Sequence, residues 1–237
     1  MNITDGLLSL LFPRLCLSCN RPGRYYCSRC IESLEKIQNQ ICPMCARPAI
    51  GGSTHPGCVR PYGLDGLISV FRYTGAIRKG VKLLKYRRVR DVTSELVGLV
   101  VGELHNHSRE FAAIMHFVES EQPTLIPMPL HWLRQRVRWY NQSELLAREF
   151  ATTFHLEVRN DILLRSRYTP SQAGRLKKDR MQNIKDAFEI HQHSSIKLPS
   201  SIIIIDDVWT TGATMREAGK ILKRAGVKTV WGMTIAR

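Results

Sequence analysis

The stretch Ile202-Ile-Ile-Ile-Asp-Asp-Val-Trp-Thr-Thr-Gly-Ala-Thr214 constrains the fold of this 237-residue chain more than any other. Four consecutive isoleucines leave no face for water, so they read as a central parallel strand covered on both sides. Two carboxylates, Asp206 and Asp207, end that strand, and a hydroxyl-rich turn with one glycine leads into a helix. Open α/β sheets bind ligands beyond the carboxyl ends of their strands. A helix N-terminus, with free N–H groups and the positive end of its dipole, attracts phosphate. Gly212 lets the backbone close on an anion, and Thr210, Thr211 and Thr214 add hydroxyl donors. Asp206 and Asp207 are poor phosphate ligands but suit the two hydroxyls of a ribose, directly or through Mg²⁺. Thr214 also has a purely local reading, because Glu217 three residues on completes a capping box.

The sequence around this stretch alternates strand and helix signals, the mark of βαβ units and a mostly parallel sheet. Residues 66–73, 124–128, 202–205 and 227–235 read as strands. Pro127 has no backbone donor, so the second ladder should end there. Residues 77–86, 93–104, 141–154 and 215–225 read as helices. In the last, Met215, Ala218, Leu222 and Ala225 share a face, and Gly226 suits the left-handed turn past the helix end. The 43% apolar content is enough for a real core.

All seven cysteines lie before residue 59, in a stretch rich in Pro, Gly, Arg and Ser. Composition therefore divides the chain into a cysteine-rich module, 1–62, and an α/β domain, 65–237. Cys16/Cys19, Cys27/Cys30 and Cys42/Cys45 are Cys-x-x-Cys pairs, and His55-x-x-Cys58 adds a fourth pair. Two-residue spacing lets both side chains of a tight knuckle meet one tetrahedral Zn²⁺. The sequential assignment is Cys16, Cys19, Cys27 and Cys30 for one ion, and Cys42, Cys45, His55 and Cys58 for a second. Interleaved pairing is not excluded by the spacing. Four protein ligands leave no open coordination position, so the role expected is structural.

The net charge of +15 points to a polyanionic partner, a phosphorylated small molecule, nucleic acid or a membrane surface, with a basic solvated surface as the plain alternative. No apolar run reaches the ~18 residues needed to span a bilayer. Residues 1–17 carry Asp5 and lack a basic leader or a small-residue cleavage site, so they read as mature protein and the chain as cytoplasmic. Reduced thiols in that compartment favour metal over disulfides.

The 202–214 stretch closely resembles the signature by which type I phosphoribosyltransferases bind 5-phosphoribosyl-1-pyrophosphate (PRPP). The order of motifs is narrower still. Cysteine pairs are followed by Leu83-Leu-Lys-Tyr86, Pro127-x-Pro129, Tyr140-Asn-Gln142, Gln172, Arg180-x-x-Asn183 and the PRPP loop, which together resemble the ComF family. Two places depart from the family pattern. His55-x-x-Cys58 stands where a fourth Cys-x-x-Cys is usual, and Arg138-Trp-Tyr-Asn-Gln142 stands where Arg-Gly-Phe-Asn-Gln is usual.

The resemblance implies a type I phosphoribosyltransferase fold behind a double zinc ribbon, and a role in taking up single-stranded DNA during natural transformation, alongside other DNA-uptake proteins. A metabolic phosphoribosyltransferase acting on a base or amine is the alternative. It further implies that PRPP with Mg²⁺ contacts Asp206, Asp207, Thr210, Thr211, Gly212, Ala213 and Thr214, with pyrophosphate held near His131, Arg134 and Arg136. Residues 165–183 resemble the fold's closing loop, with Arg175, Lys177 and Arg180 as candidates to neutralise the leaving group; a solvated loop is the plain reading.

Basic residues interleaved with aromatics fit single-stranded nucleic acid. Lys79, Lys82, Lys85, Tyr86, Arg87, Arg88 and Arg90 form one such cluster, and Arg134, Arg136, Arg138, Trp139 and Tyr140 form another. Lys79, Lys82 and Lys85 also fit one exposed helix face.

Overall fold

The computed structural model describes residues 13–84, 91–107, 109–130, 139–167, 184–191 and 197–237. Among them run six strands: β1 (Gly66–Phe71), β2 (Thr124–Pro127), β3 (Leu163–Leu164), β4 (Glu189–Ile190), β5 (Ser201–Val208) and β6 (Thr229–Ala236). Four of these make a wholly parallel sheet in the order β1-β6-β5-β2, while β3 and β4 pair as a separate antiparallel hairpin. The described α-helices are α1 (Ser28–Ile31), α2 (Gly75–Leu83), α3 (Asp91–Asn106), α4 (Ala112–Glu121), α5 (Gln142–Phe154) and α6 (Ala213–Arg224).

The isoleucine run does what its composition demands. Ile203 and Ile205 face a core built with Leu96, Val100, Leu146 and Phe150. Ile202 and Ile204 face a second core with Met215, Ala218 and Leu222. All four are essentially inaccessible, so β5 is covered on both sides by helices. Pro127 is the last residue of the β2 ladder, opposite Ile205. It is tolerated because β2 is an edge strand.

Two helix readings need correction. α4 was not anticipated, although Ile114, Phe117 and Val118 give it a buried face. Ala225 is exposed rather than buried, because α6 stops one residue earlier and the chain leaves through Gly226 at φ 101°.

The cysteine region contains a structural repeat. Cys16 and Cys42 each begin a knuckle in which the cysteine N–H donates to the carbonyl five residues on, Arg21 or Arg47, at 2.9 Å. Asn20 and Ala46, at matching positions, both take left-handed backbone at φ 61° and 60°. Each knuckle closes with an antiparallel bridge, Leu15 to Pro22 and Ile41 to Pro48.

This region is fastened along the free edge of β1. Ile37 N donates to Val70 O, and Arg72 N to Glu35 O. The Gln40 side chain both donates to Ser69 O (3.0 Å) and accepts from Ser69 N (3.1 Å), acting as one more rung of the ladder. Tyr26 is buried, donates to Ala76 O, and has its N–H on the Glu95 carboxylate. An uncovered edge strand invites pairing with other chains, and these contacts close it.

Candidate anion-binding site and metal clusters

The loop after β5 is shaped by Gly212. It takes φ 74° and caps α6. A Cβ there would lie 2.0 Å from Cζ2 of Trp209, so only glycine fits both the backbone and the space. Trp209 is itself buried and carries the Arg216 guanidinium 5.4 Å from its ring centroid. Arg216 donates to Thr211 O at 2.6 Å, and Ala213 N donates to the Thr211 hydroxyl at 3.4 Å. Thr214 lies inside α6, not at its cap, so the capping box with Glu217 does not form. Glu217 instead pairs with Lys220 and accepts from Asp186 N.

The two aspartates sit within β5 rather than beyond it. Asp206 pairs in register with Thr234, and Val208 with Ala236. The two carboxyl groups stay close enough to interact with each other. Asp206 Oδ1 accepts from Ser143 Oγ (3.0 Å), at the start of α5, and from Asp207 N (2.9 Å). Burial, reinforced by the Asp207 charge, pushes the Asp206 carboxyl up to about 8. Asp207 is 8% exposed, and its charge adds to the burial that raises Tyr73.

Asn141 organises the neighbouring turn. It caps α5 by accepting from Ser143 N, and its amide donates to Met128 O beyond β2. Tyr140 is buried and donates to Leu84 O. Trp139, just before, is 74% exposed at φ 64°. Such left-handed backbone is adopted most cheaply by glycine. A cavity of about 260 Å³ opens beside this turn, lined by Pro129, Asn141, Glu144, Asn160, Arg165 and Glu189.

Lys82 is exposed on α2. Lys79, also exposed, reaches back to Leu17 O at 2.7 Å and so ties α2 to the first knuckle. His131, Arg134, Arg136 and Arg138 lie outside the described residues, as do Lys85, Tyr86, Arg87, Arg88, Arg175, Lys177 and Arg180. Ser143 and Arg216 were not anticipated. Their signals were faint: a serine just inside a helix start, and an arginine one turn after the loop glycine.

The structure resolves the question of pairing left open by the spacing. The ligand atoms of Cys16, Cys19, Cys27 and Cys30 lie within 4.8 Å of one another, and so do those of Cys42, Cys45, His55 and Cys58. Cys19 and Cys27 Sγ are 3.7 Å apart, close to the edge of about 3.8 Å expected of a tetrahedron with Zn–S near 2.3 Å. His55 turns Nδ1 to Cys45 Sγ at 3.4 Å, while Nε2 meets Pro48 O at 2.9 Å. That outer contact fixes the tautomer with a lone pair on Nδ1, as a metal-binding histidine requires. Burial raises the Cys16 thiol, but the backbone N–H groups of Cys19, Cys27 and Ser18 outweigh it and bring it down to about 6. Both donor sets fit a structural Zn²⁺.

Comparison with known proteins gives a concordant picture. A double zinc ribbon domain family matches residues 7–59, and a phosphoribosyl transferase domain family matches residues 141–236. Competence protein F of Haemophilus influenzae is 37% identical over 114 residues, 47% of this chain and half of that protein. DNA utilization protein YhgH of Escherichia coli K12 is 28% identical over 93% of this chain and 96% of its own length. Competence protein ComFC of Bacillus subtilis is 26% identical over 92% of this chain and 86% of its own. Among the described residues no helix is long and apolar enough to cross a membrane.

Proposed function

We propose that the chain is a member of the ComF family, a double zinc ribbon joined to a phosphoribosyltransferase domain, and that it binds PRPP with Mg²⁺ and assists the handling of incoming single-stranded DNA in the cytoplasm. One observation carries the reading: a doubly buried strand delivers Asp206 and Asp207 to a Gly212-capped helix start. The loop N–H groups from Thr211 to Thr214 hold the 5-phosphate, and the Thr210, Thr211 and Thr214 hydroxyls add donors. Asp206 and Asp207 take the ribose hydroxyls, directly or through Mg²⁺. His131, Arg134 and Arg136 serve pyrophosphate, and Arg175, Lys177 and Arg180 close over it.

The names of the relatives, competence protein and DNA utilization protein, support the DNA side of the reading. So does the charge of +15. Trp139 supports it independently. Its ring is three-quarters exposed, and an exposed indole offers a face on which a base can stack. Lys82, Lys85, Tyr86, Arg87, Arg88 and Arg138 supply the phosphate contacts. Two Zn²⁺ hold the ribbons, one in each four-ligand cluster.

A second reading, a transferase passing phosphoribosyl to a base or amine, rests on the 260 Å³ cavity beside Asn141, which offers space for an acceptor. Deletion in a naturally competent host separates the two. The DNA reading expects transformation to fall at least tenfold with normal growth in purine- and pyrimidine-free medium. A strain that transforms normally but needs a base supplement would contradict it.

A further inference from the structure

The Arg216 side chain hydrogen-bonds to both the anion loop and a zinc knuckle. Its Nη2 donates to Thr211 O at 2.6 Å, and its Nη1 donates to Pro43 O at 2.8 Å. Pro43 lies between Cys42 and Cys45, inside the second knuckle. The face of the guanidinium rests on Trp209, the ring that also fills the space a Cβ on Gly212 would need. Among the described residues no carboxylate pairs with Arg216, and burial lowers its proton affinity. Its charge is therefore spent on two carbonyl oxygens rather than on an anion.

The direction of these bonds matters. In a trans peptide the C=O and the following N–H point opposite ways. Arg216 draws the Thr211 carbonyl toward the body of the protein. The N–H of Gly212, on the same peptide, is thereby aimed outward at the place where a helix N-terminus receives an anion. The pull is anchored at its far end on the second knuckle, whose shape depends on four ligands converging on one ion. Lysine could not reproduce the arrangement, because one ammonium lacks the planar fork that reaches two carbonyls while stacking on an indole.

We infer that Arg216 is a positioning residue for the phosphate loop, which it holds from the second zinc knuckle, so that loading of that knuckle and affinity for a phosphorylated ribose are linked. The inference deepens the PRPP-binding reading above and rests on it. Loss of either end of the clasp frees the Thr211–Gly212 peptide to rotate. Two changes that break the same clasp should therefore not add.

Calorimetric titration with PRPP·Mg²⁺ of the full-length wild type, Arg216→Met, Cys58→Ser and the double variant tests this. Each single change is expected to weaken binding about tenfold or more, and the double variant to be no weaker than the worse single one. Arg216→Lys should recover little, and Arg216→Met should keep its full zinc content. Binding by Arg216→Met within twofold of wild type, or losses that multiply in the double variant, would overturn the clasp. A wild type that does not bind PRPP would instead overturn the PRPP reading. The clasp then stands on the ligand-free protein, where the Gly212 amide resonance should move on Cys58→Ser in an otherwise wild-type chain and stay still in an Arg216→Met background. Movement of equal size in both backgrounds would contradict it.

Discussion

Ser143 Oγ donates to Asp206 Oδ1 at 3.0 Å, which ties the first turn of α5 to a carboxyl group in the sheet centre. The Asp206 carboxyl is held up to about 8, mainly by burial and then by the neighbouring Asp207 charge. The folded chain therefore keeps a proton there that the unfolded chain releases near pH 4. That contribution to stability is fully present below about pH 4 and is lost as pH rises toward about 8.

Asp206→Asn should remove this dependence while keeping both hydrogen bonds, since an amide oxygen also accepts. Thermal unfolding between pH 5 and 9 should show the melting temperature of the variant gaining several degrees on wild type toward the alkaline end. A constant offset across the range would refute a raised Asp206 carboxyl in the folded state.

Ala46 adopts φ 60° where its counterpart in the first knuckle is Asn20. An alanine pays a Cβ penalty of about 1 kcal/mol in that region, and asparagine tolerates it better. Ala46→Gly is therefore expected to stabilise the zinc-loaded protein by roughly 0.5–1 kcal/mol, read as an increased denaturation midpoint. A midpoint below wild type would show that the methyl group is needed for packing.

Gly212→Ala should be costly for two reasons, backbone strain at φ 74° and collision with the Trp209 indole. Stability should fall by about 2–3 kcal/mol and affinity for PRPP·Mg²⁺ by more than tenfold. Pairing it with Trp209→Ala relieves the collision but not the strain, so only part of the stability should return.

Metal content separates the two ribbons. Elemental analysis of reduced protein should give close to two Zn²⁺ per chain, and close to one for His55→Ala, because that histidine belongs to the Cys42, Cys45, Cys58 cluster. Protein prepared without zinc loss but containing one ion would exclude His55 as a ligand.

Much of the architecture was readable where local chemistry and burial agree. The isoleucine run, the Gly226 helix exit and the cysteine pairs each have one cheap physical solution. The proposed phosphate loop stands out in the sequence because its glycine and hydroxyls are useful only together. What the sequence hid depends on distant partners. Ser143 meets Asp206 across 63 positions and Arg216 meets Pro43 across 173, so no local pattern announces either. Ala225 misled because helical spacing says which face a residue shares, not where the helix stops. The capping box misled for a related reason: Gly212, by taking left-handed backbone, started α6 before Thr214 could cap it.

Calorimetric titration with PRPP·Mg²⁺ of wild type and the Asp206→Asn/Asp207→Asn double variant is the most direct test of the site. The account predicts saturable one-to-one binding by wild type and none by the double variant, with the zinc content and helical circular dichroism of the two proteins alike. Equal binding by both would contradict the assignment of the ribose to these two residues, and no binding by a zinc-replete wild type would contradict the PRPP site itself.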